Sequence, residues 1–115
     1  MTVTIYHNPK CSKSRQTLNL LQERGLELEI IEYLKTPPNS KTLDILLKKL
    51  NLKPRELMRQ HEAPYGELGL DDGNLDRNYL IHAMVKNPIL IERPIVITNN
   101  QARLGRPPEN VLEIL

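Results

Sequence analysis

The sequence predicts an α/β domain built on a mixed four-stranded sheet, in the order β-α-β, a helical insertion, then β-β-α. Three observations carry this. A β-branched run, an amphipathic segment and a second alternating run follow one another within residues 3–34, the pattern of a parallel crossover unit. Another β-branched run near the C-terminus is closed by a two-asparagine hairpin signal. Between them, about residues 40–90 show helical periodicity and no strand.

Each element has a local reason. "TVTIYH" reads as a strand over 3–6 that stops at Asn8-Pro9. A helix follows over about 12–24, with Gly25 as the natural C-terminal cap. "LELEIIEYL" alternates Leu26, Leu28 and Ile30 with Glu27 and Glu29, a second strand. "KTPPNS" is a turn. Leu43, Leu46, Leu47 and Leu50 then form one helical stripe. Pro54 opens a short helix expected to run through Arg59. "HEAPYGELGLDDGN" reads as loop, and Asp76 as the N-cap of a helix ending near Lys86, before Asn87-Pro88. "RPIVIT" is the third strand, "NNQ" the hairpin and "ARLG" the fourth strand. Pro107 starts a last helix, with Val111, Leu112 and Leu115 expected to face inward. A parallel unit followed by an antiparallel hairpin, with helices on the sheet faces, is the thioredoxin-like plan. The chain is expected to be a single domain over 1–115, with the helical stretch inserted in it.

The bulk numbers narrow the function classes. The chain has 115 residues, enough for a core without disulfides or metals. Its formal charge of +2 is spread along the chain, and Phe and Trp are absent. That supplies neither the phosphate-neutralising surface nor the stacking platforms of a nucleic-acid binder. No apolar run has the length of a membrane span, and the N-terminus carries no signal-peptide pattern. The single cysteine can form no internal disulfide, so the expected setting is the cytoplasm, where thiols stay reduced.

That cysteine is the strongest chemical signal. Cys11 lies in "YHNPKCSKSR", among His7, Lys10, Lys13 and Arg15. A packing cysteine has apolar neighbours. A reactive one has cationic neighbours, which favour the thiolate. The position is also a strand-to-helix turn, where unpaired N–H groups and the helix dipole favour anions. Position 14 is serine, so the loop reads C-S-K-S and holds no second thiol. Any redox cycle must take its second thiol from another molecule. His7 either influences the thiol or caps the strand end. Arg15, on the first helical turn, points either at the loop or at solvent.

Arg59, Arg93 and Arg106 lie at structural transitions, Arg93 before Pro94 and Arg106 before Pro107. Singly, each reads as a surface arginine. In a thioredoxin-like plan, however, the loop before the third strand faces the loop after the first. An arginine there presents a planar fork to an oxyanion. The same loop characteristically carries a cis-proline, and Pro94 holds that position.

"YHNPKCSKSRQTL", "EYLKTPP", "RELMR", "APYGELGL", "NPILIERPIVI" and "ARLGRPPE" together resemble the glutaredoxin-dependent arsenate reductases, block by block over nearly the whole chain. The resemblance implies that Cys11 attacks arsenate and forms a covalent adduct, that glutathione adds to the arsenic, and that glutaredoxin completes the reduction to arsenite. It places the family's three oxyanion-binding arginines on Arg59, Arg93 and Arg106. Its histidine, which helps favour the thiolate, falls on His7. It implies no metal and no tightly bound cofactor, with glutathione as co-substrate. The chain is expected to act as a monomer. Two alternatives stay open: an Spx-type regulator that binds RNA polymerase through the same fold, and an oxyanion or thiol enzyme with a substrate other than arsenate.

Overall fold

The computed structural model describes residues 2–115, which divide into two compact units. The first comprises the chain up to Thr36 together with Arg93–Leu115. It contains β1 (Thr2–His7), α1 (Ser12–Glu23), β2 (Glu27–Glu32), β3 (Ile95–Thr98), β4 (Gln101–Leu104) and a final 3-10 helix, Pro108–Ile114. The strand order is β2-β1-β3-β4. β1 and β2 are parallel, pairing Thr2 with Glu27 and His7 with Glu32. β3 runs antiparallel to both β1 and β4. This is the thioredoxin-like topology.

The core of this unit is Val3, Ile5, Leu21, Val96, Val111 and Ile114, with Leu18, Leu20, Leu26, Leu28 and Leu115 at its edge. Each fully buried aliphatic side chain contributes roughly 1.5–3 kcal/mol by leaving water. The hairpin between β3 and β4 turns on Asn99 and Asn100, at φ 52° and 61°. Two consecutive left-handed residues give the turn whose twist matches the strands, and asparagine tolerates that conformation. The Asn99 side-chain amide also donates to the Ile114 carbonyl at 3.1 Å, tying the hairpin to the last 3-10 turn. β2 lies at the sheet edge, and Ile30 remains 46% exposed there despite its apolar character.

The last element differs from expectation. An α-helix was expected to turn Val111, Leu112 and Leu115 inward. The segment is instead a 3-10 helix, and three residues per turn align Pro108, Val111 and Ile114 on its buried face. Leu112 is left half-buried.

The second unit, Pro37–Glu92, contains the stretch read as a helical insertion. It holds α2 (Ser40–Leu50), α3 (Pro54–Leu57), α4 (Ala63–Glu67), α5 (Arg77–Lys86) and a 3-10 turn, Pro88–Leu90. Asn39 caps α2 by accepting from the Thr42 N–H at 2.8 Å, and Asp76 caps α5 by accepting from the Tyr79 N–H at 2.8 Å. α5 packs against α2, α3 and the 3-10 turn. Leu43, Leu46, Leu47, Leu57, Leu80 and Met84 are buried. Arg77 donates from Nε to Asp44 Oδ1 at 2.8 Å, and Lys48 lies 3.1 Å from Asp44 Oδ2. Hydrogen bonds from Arg77 and then Lys48 hold the Asp44 carboxyl below its ordinary range.

Two expectations fail in this unit. Residues 61–74, read as loop, contain the short helix α4, entered through Pro64 in its first turn. α3 ends at Leu57, before Arg59. Met58 takes an extended conformation and bridges to Ile91, a pairing that competes with a further helical turn. No helix among the described residues is long and apolar enough to cross a membrane.

Candidate functional site

The loop between β1 and α1 is built by hydrogen bonds that its own sequence supplies. The Cys11 N–H donates to the Asn8 carbonyl at 3.0 Å, closing a turn over Pro9 and Lys10. Asn8 Oδ1 accepts from the Lys10 N–H at 3.0 Å. Cys11 then becomes the N-cap of α1, and its carbonyl accepts from the Arg15 N–H at 3.0 Å. Cys11 as a whole is 8% exposed. The first turn of α1 contains no acidic residue. An anion at Cys11 therefore meets helix-terminal N–H groups with no competing carboxylate in that turn. Arg15 points at the loop: its Nη1 donates to the Pro9 carbonyl at 3.0 Å. Lys10 and Lys13 are exposed.

Ser14 is fully buried beneath this loop. Its Oγ accepts from the Asn8 N–H at 3.0 Å and lies 2.6 Å from His7 Nδ1. One hydroxyl thus joins the last residue of β1, the start of the loop and the first turn of α1. Asn8 matters as much as the residues singled out from sequence, since its N–H, side chain and carbonyl each hold one bond of the loop. The Asn-Pro dipeptide was the available signal for it.

His7 is 5% exposed. Burial pushes its imidazole pKa below the ordinary value of 6.5; Glu32 acts to raise it and Arg15 to lower it. Desolvation therefore disfavours the charged imidazole, while the Ser14 hydroxyl at 2.6 Å fixes the position of Nδ1. With Nδ1 accepting from the Ser14 hydroxyl, the ring proton resides on Nε2. A group with a depressed folded pKa favours folding above its unfolded value, and that contribution is lost as pH falls. The denaturation midpoint should drop between pH 7.5 and 5.5, and this group's share cannot exceed about 1.4 kcal/mol per pH unit for one proton. His7→Gln should flatten the slope; an unchanged slope would mean that His7 protonates as easily in the fold as outside it.

Sheet register explains how Arg93 and Arg106 reach the same end of the first unit. β1 pairs Tyr6 with Ile95, and β3 pairs Ile95 with Leu104. One step further, Pro94 comes level with His7 on one side and Gly105 on the other. The Gly105 N–H donates to the Pro94 carbonyl at 3.0 Å, and Arg106 Nη1 to the Arg93 carbonyl at 3.4 Å. The end of β1, the start of β3 and the end of β4 therefore share one sheet margin, and the Cys11 loop leaves from it. Both the Arg93–Pro94 and the Arg106–Pro107 bonds are cis; the first was expected and the second was not. Pro94 is buried, Arg106 exposed and Arg93 half-buried, with the Arg93 Nε and Nη1 atoms shielded from solvent.

Gly105 was missed from sequence. A Cβ there would lie 2.5 Å from Thr17 Oγ1 and 2.7 Å from Pro94 Cγ. The proline ring cannot swing away, and Thr17 is held on α1 by its bond to the Lys13 carbonyl at 2.9 Å. Only glycine lets the end of β4 approach this closely. Gly105→Ala should cost about 1–3 kcal/mol through overpacking, a fall of several degrees in melting temperature. Adding Thr17→Ala should return part of that loss. Equal stability of wild type and Gly105→Ala would remove the steric account.

Arg59 belongs to the second unit. Its N–H donates to the Leu90 carbonyl at 2.7 Å. Its guanidinium lies 3.5 Å from Glu62 and 3.7 Å from Glu92, longer than charge-assisted hydrogen bonds. The two carboxylates orient the side chain without close contact. Neither was singled out from sequence, where nothing marks them among the chain's acidic residues.

Residues 6–114 match the ArsC family. The chain is 60% identical over 114 residues to the uncharacterized protein YfgD of Escherichia coli (strain K12), covering 98% of this chain and 96% of that one. It is 47% identical over 114 residues to an arsenate reductase of Neisseria meningitidis (strain Z2491), covering 98% and 97%. A solved structure of an arsenate reductase from Vibrio cholerae superimposes with a TM-score of 0.97 at 53% identity, covering 100% of this chain and 98% of the other.

Proposed function

The chain belongs to the ArsC family, and from that premise we propose that it reduces arsenate to arsenite through a Cys11–arsenate adduct, with glutathione and glutaredoxin supplying the electrons. The observation that carries this is the placement of the only thiol at the N-cap of α1, on the loop that leaves the sheet margin where Arg93 and Arg106 arrive. Arsenate is a phosphate-like oxyanion, and helix-terminal N–H groups with guanidinium forks form a suitable cradle.

The proposed reaction balances in four steps. The Cys11 thiolate attacks arsenic and displaces one oxygen as water, leaving arsenic pentavalent. The glutathione thiol displaces a second oxygen, again as water. A glutaredoxin thiolate then attacks the glutathione sulfur; the electron pair of the sulfur–arsenic bond passes to arsenic, which becomes trivalent. Glutaredoxin departs as a mixed disulfide with glutathione. Water finally displaces the Cys11 sulfur, releasing arsenite and restoring the thiolate. Two external thiols provide two electrons, so the scheme calls for no bound metal or cofactor. Arg93 and Arg106 stabilise the charge on the adduct, and Arg59 is assigned to the same task by its family motif. The scheme belongs in the cytoplasm, where glutathione keeps thiols reduced.

The test is arsenite formation from arsenate with purified protein and glutathione, with and without glutaredoxin. Product should require both thiol sources. A chain that makes no arsenite, yet retains RNA polymerase in a pull-down, would instead be a regulator of the Spx type. Protection of Cys11 from alkylation by another oxyanion, without arsenite formation, would point to a different substrate.

A further inference from the structure

Beside the Cys11 loop lies a cavity of about 310 Å³ within the first unit, at the lower end of the size range of small-molecule sites. Pro9 and Lys10 line one side, Glu32, Leu34 and Lys35 the other, and buried His7 contributes to its lining. The topology explains the convergence. Parallel pairing sets His7 beside Glu32, so the chain leaves β1 and β2 at the same end. After β2 the N–H groups of Lys35 and Thr36 turn back onto the Glu32 carbonyl, each at 3.0 Å. That turn presents Leu34, 42% exposed, next to the loop. Lys10 directly precedes Cys11, so the cavity lining ends one residue before the cysteine along the chain.

The charges around it form a set of two ammonium groups, Lys10 and Lys35, and one carboxylate, Glu32. Glutathione carries the inverse set of two carboxylates and one ammonium. Lys35 now lies 3.5 Å from Glu32, with their side chains 80% and 44% exposed. Such a surface pair is weak and exchanges readily for a ligand's charges. Leu34 and Pro9 supply apolar walls for the peptide between those charges.

We propose that this cavity is the glutathione seat: the two ligand carboxylates pair with Lys10 and Lys35, the ligand ammonium with Glu32, and the cysteinyl thiol is presented toward the adduct on Cys11. The inference rests on the reaction proposed above, in which glutathione must add to arsenic held at Cys11. It also accounts for why a chain with one thiol would keep a second site open beside it.

The test pairs a binding measurement with kinetics. S-methylglutathione, which has no thiol to transfer, is titrated into the isotope-labelled full chain and followed by amide chemical shifts. Saturable shifts at Lys10, Glu32 and Lys35 are expected, and those at Lys10 and Glu32 should need about tenfold more ligand for half-saturation in Lys35→Glu. In the arsenite assay, Lys35→Glu and Lys10→Glu should each raise the KM for glutathione about tenfold, the scale of one lost charged contact, with the KM for arsenate moved far less. Both lysines are exposed, so the variants should fold. Shifts confined to other residues, or an unmoved glutathione KM in both variants, overturn the assignment. Shifts at the cavity in a chain that forms no arsenite would support the seat while refuting the arsenate reading.

Discussion

Cys11→Ser should abolish arsenite formation while leaving the fold intact. Serine is nearly isosteric with cysteine, and position 11 is the N-cap of α1, where serine is among the most favourable residues. Stability should therefore be unchanged or slightly higher. Chemistry fails for two reasons. An alkoxide is far harder to form than a thiolate at neutral pH, and an oxygen–arsenic bond cannot serve the later thiol exchange. The loss should reach the assay background, with an unfolding midpoint close to wild type. Retained turnover in Cys11→Ser would sink the mechanism, because no other thiol exists in the chain.

The arginine changes should be graded where the cysteine change is absolute. Replacing Arg93 or Arg106 by alanine removes a charge-assisted contact of about 1.5–3 kcal/mol, roughly tenfold to over a hundredfold in rate. Lysine at either site keeps the charge but loses the planar fork, so recovery should be partial. Arg93→Ala should cost more than Arg106→Ala, because two of the Arg93 nitrogens are shielded from water, and a contact made there is less screened than at exposed Arg106. Arg59→Ala tests the role assigned to Arg59 by motif. A loss confined to stability, with normal turnover by the folded fraction, would make Arg59 a structural partner of Glu62 and Glu92 rather than an oxyanion contact. Rates are read in the arsenite assay and stabilities by denaturation of the same preparations.

How much of this was legible beforehand depended on the range of the interaction. The strand-loop-helix around Cys11 was readable because its determinants lie within a few residues: β-branched residues before it, Asn-Pro at the turn, and a helical segment after it. The Asn99-Asn100 turn was readable for the same reason, since left-handed tolerance belongs to the residue itself. The elements misjudged were those whose conformation depends on distant partners. The end of α3 was overrun because the pairing of Met58 with Ile91 is invisible to local propensity. The last helix was assigned the wrong period, although Pro108, Val111 and Ile114 recur at intervals of three. The same spacing fits one side of an α-helix, and packing on the sheet core decided between them.

The candidate site divides along the same line. Sequence by itself determined that the chain has one thiol, that it occupies a strand-to-helix turn among cations, and that no second thiol accompanies it; these are facts of composition and local spacing. Tertiary structure alone decided which residues meet there. Antiparallel register set Pro94 and Gly105 level with the end of β1, which delivered Arg93 and Arg106 to one margin from positions more than 80 residues beyond Cys11. Burial set His7 against Ser14 and made its charged form harder to reach, because the cost of charging an imidazole depends on the solvent it has lost. Parallel pairing of β1 with β2 gathered Lys10, Glu32 and Lys35 around one cavity. Charge and residue type can be read along a chain, but desolvation and register come into being only when distant segments pack.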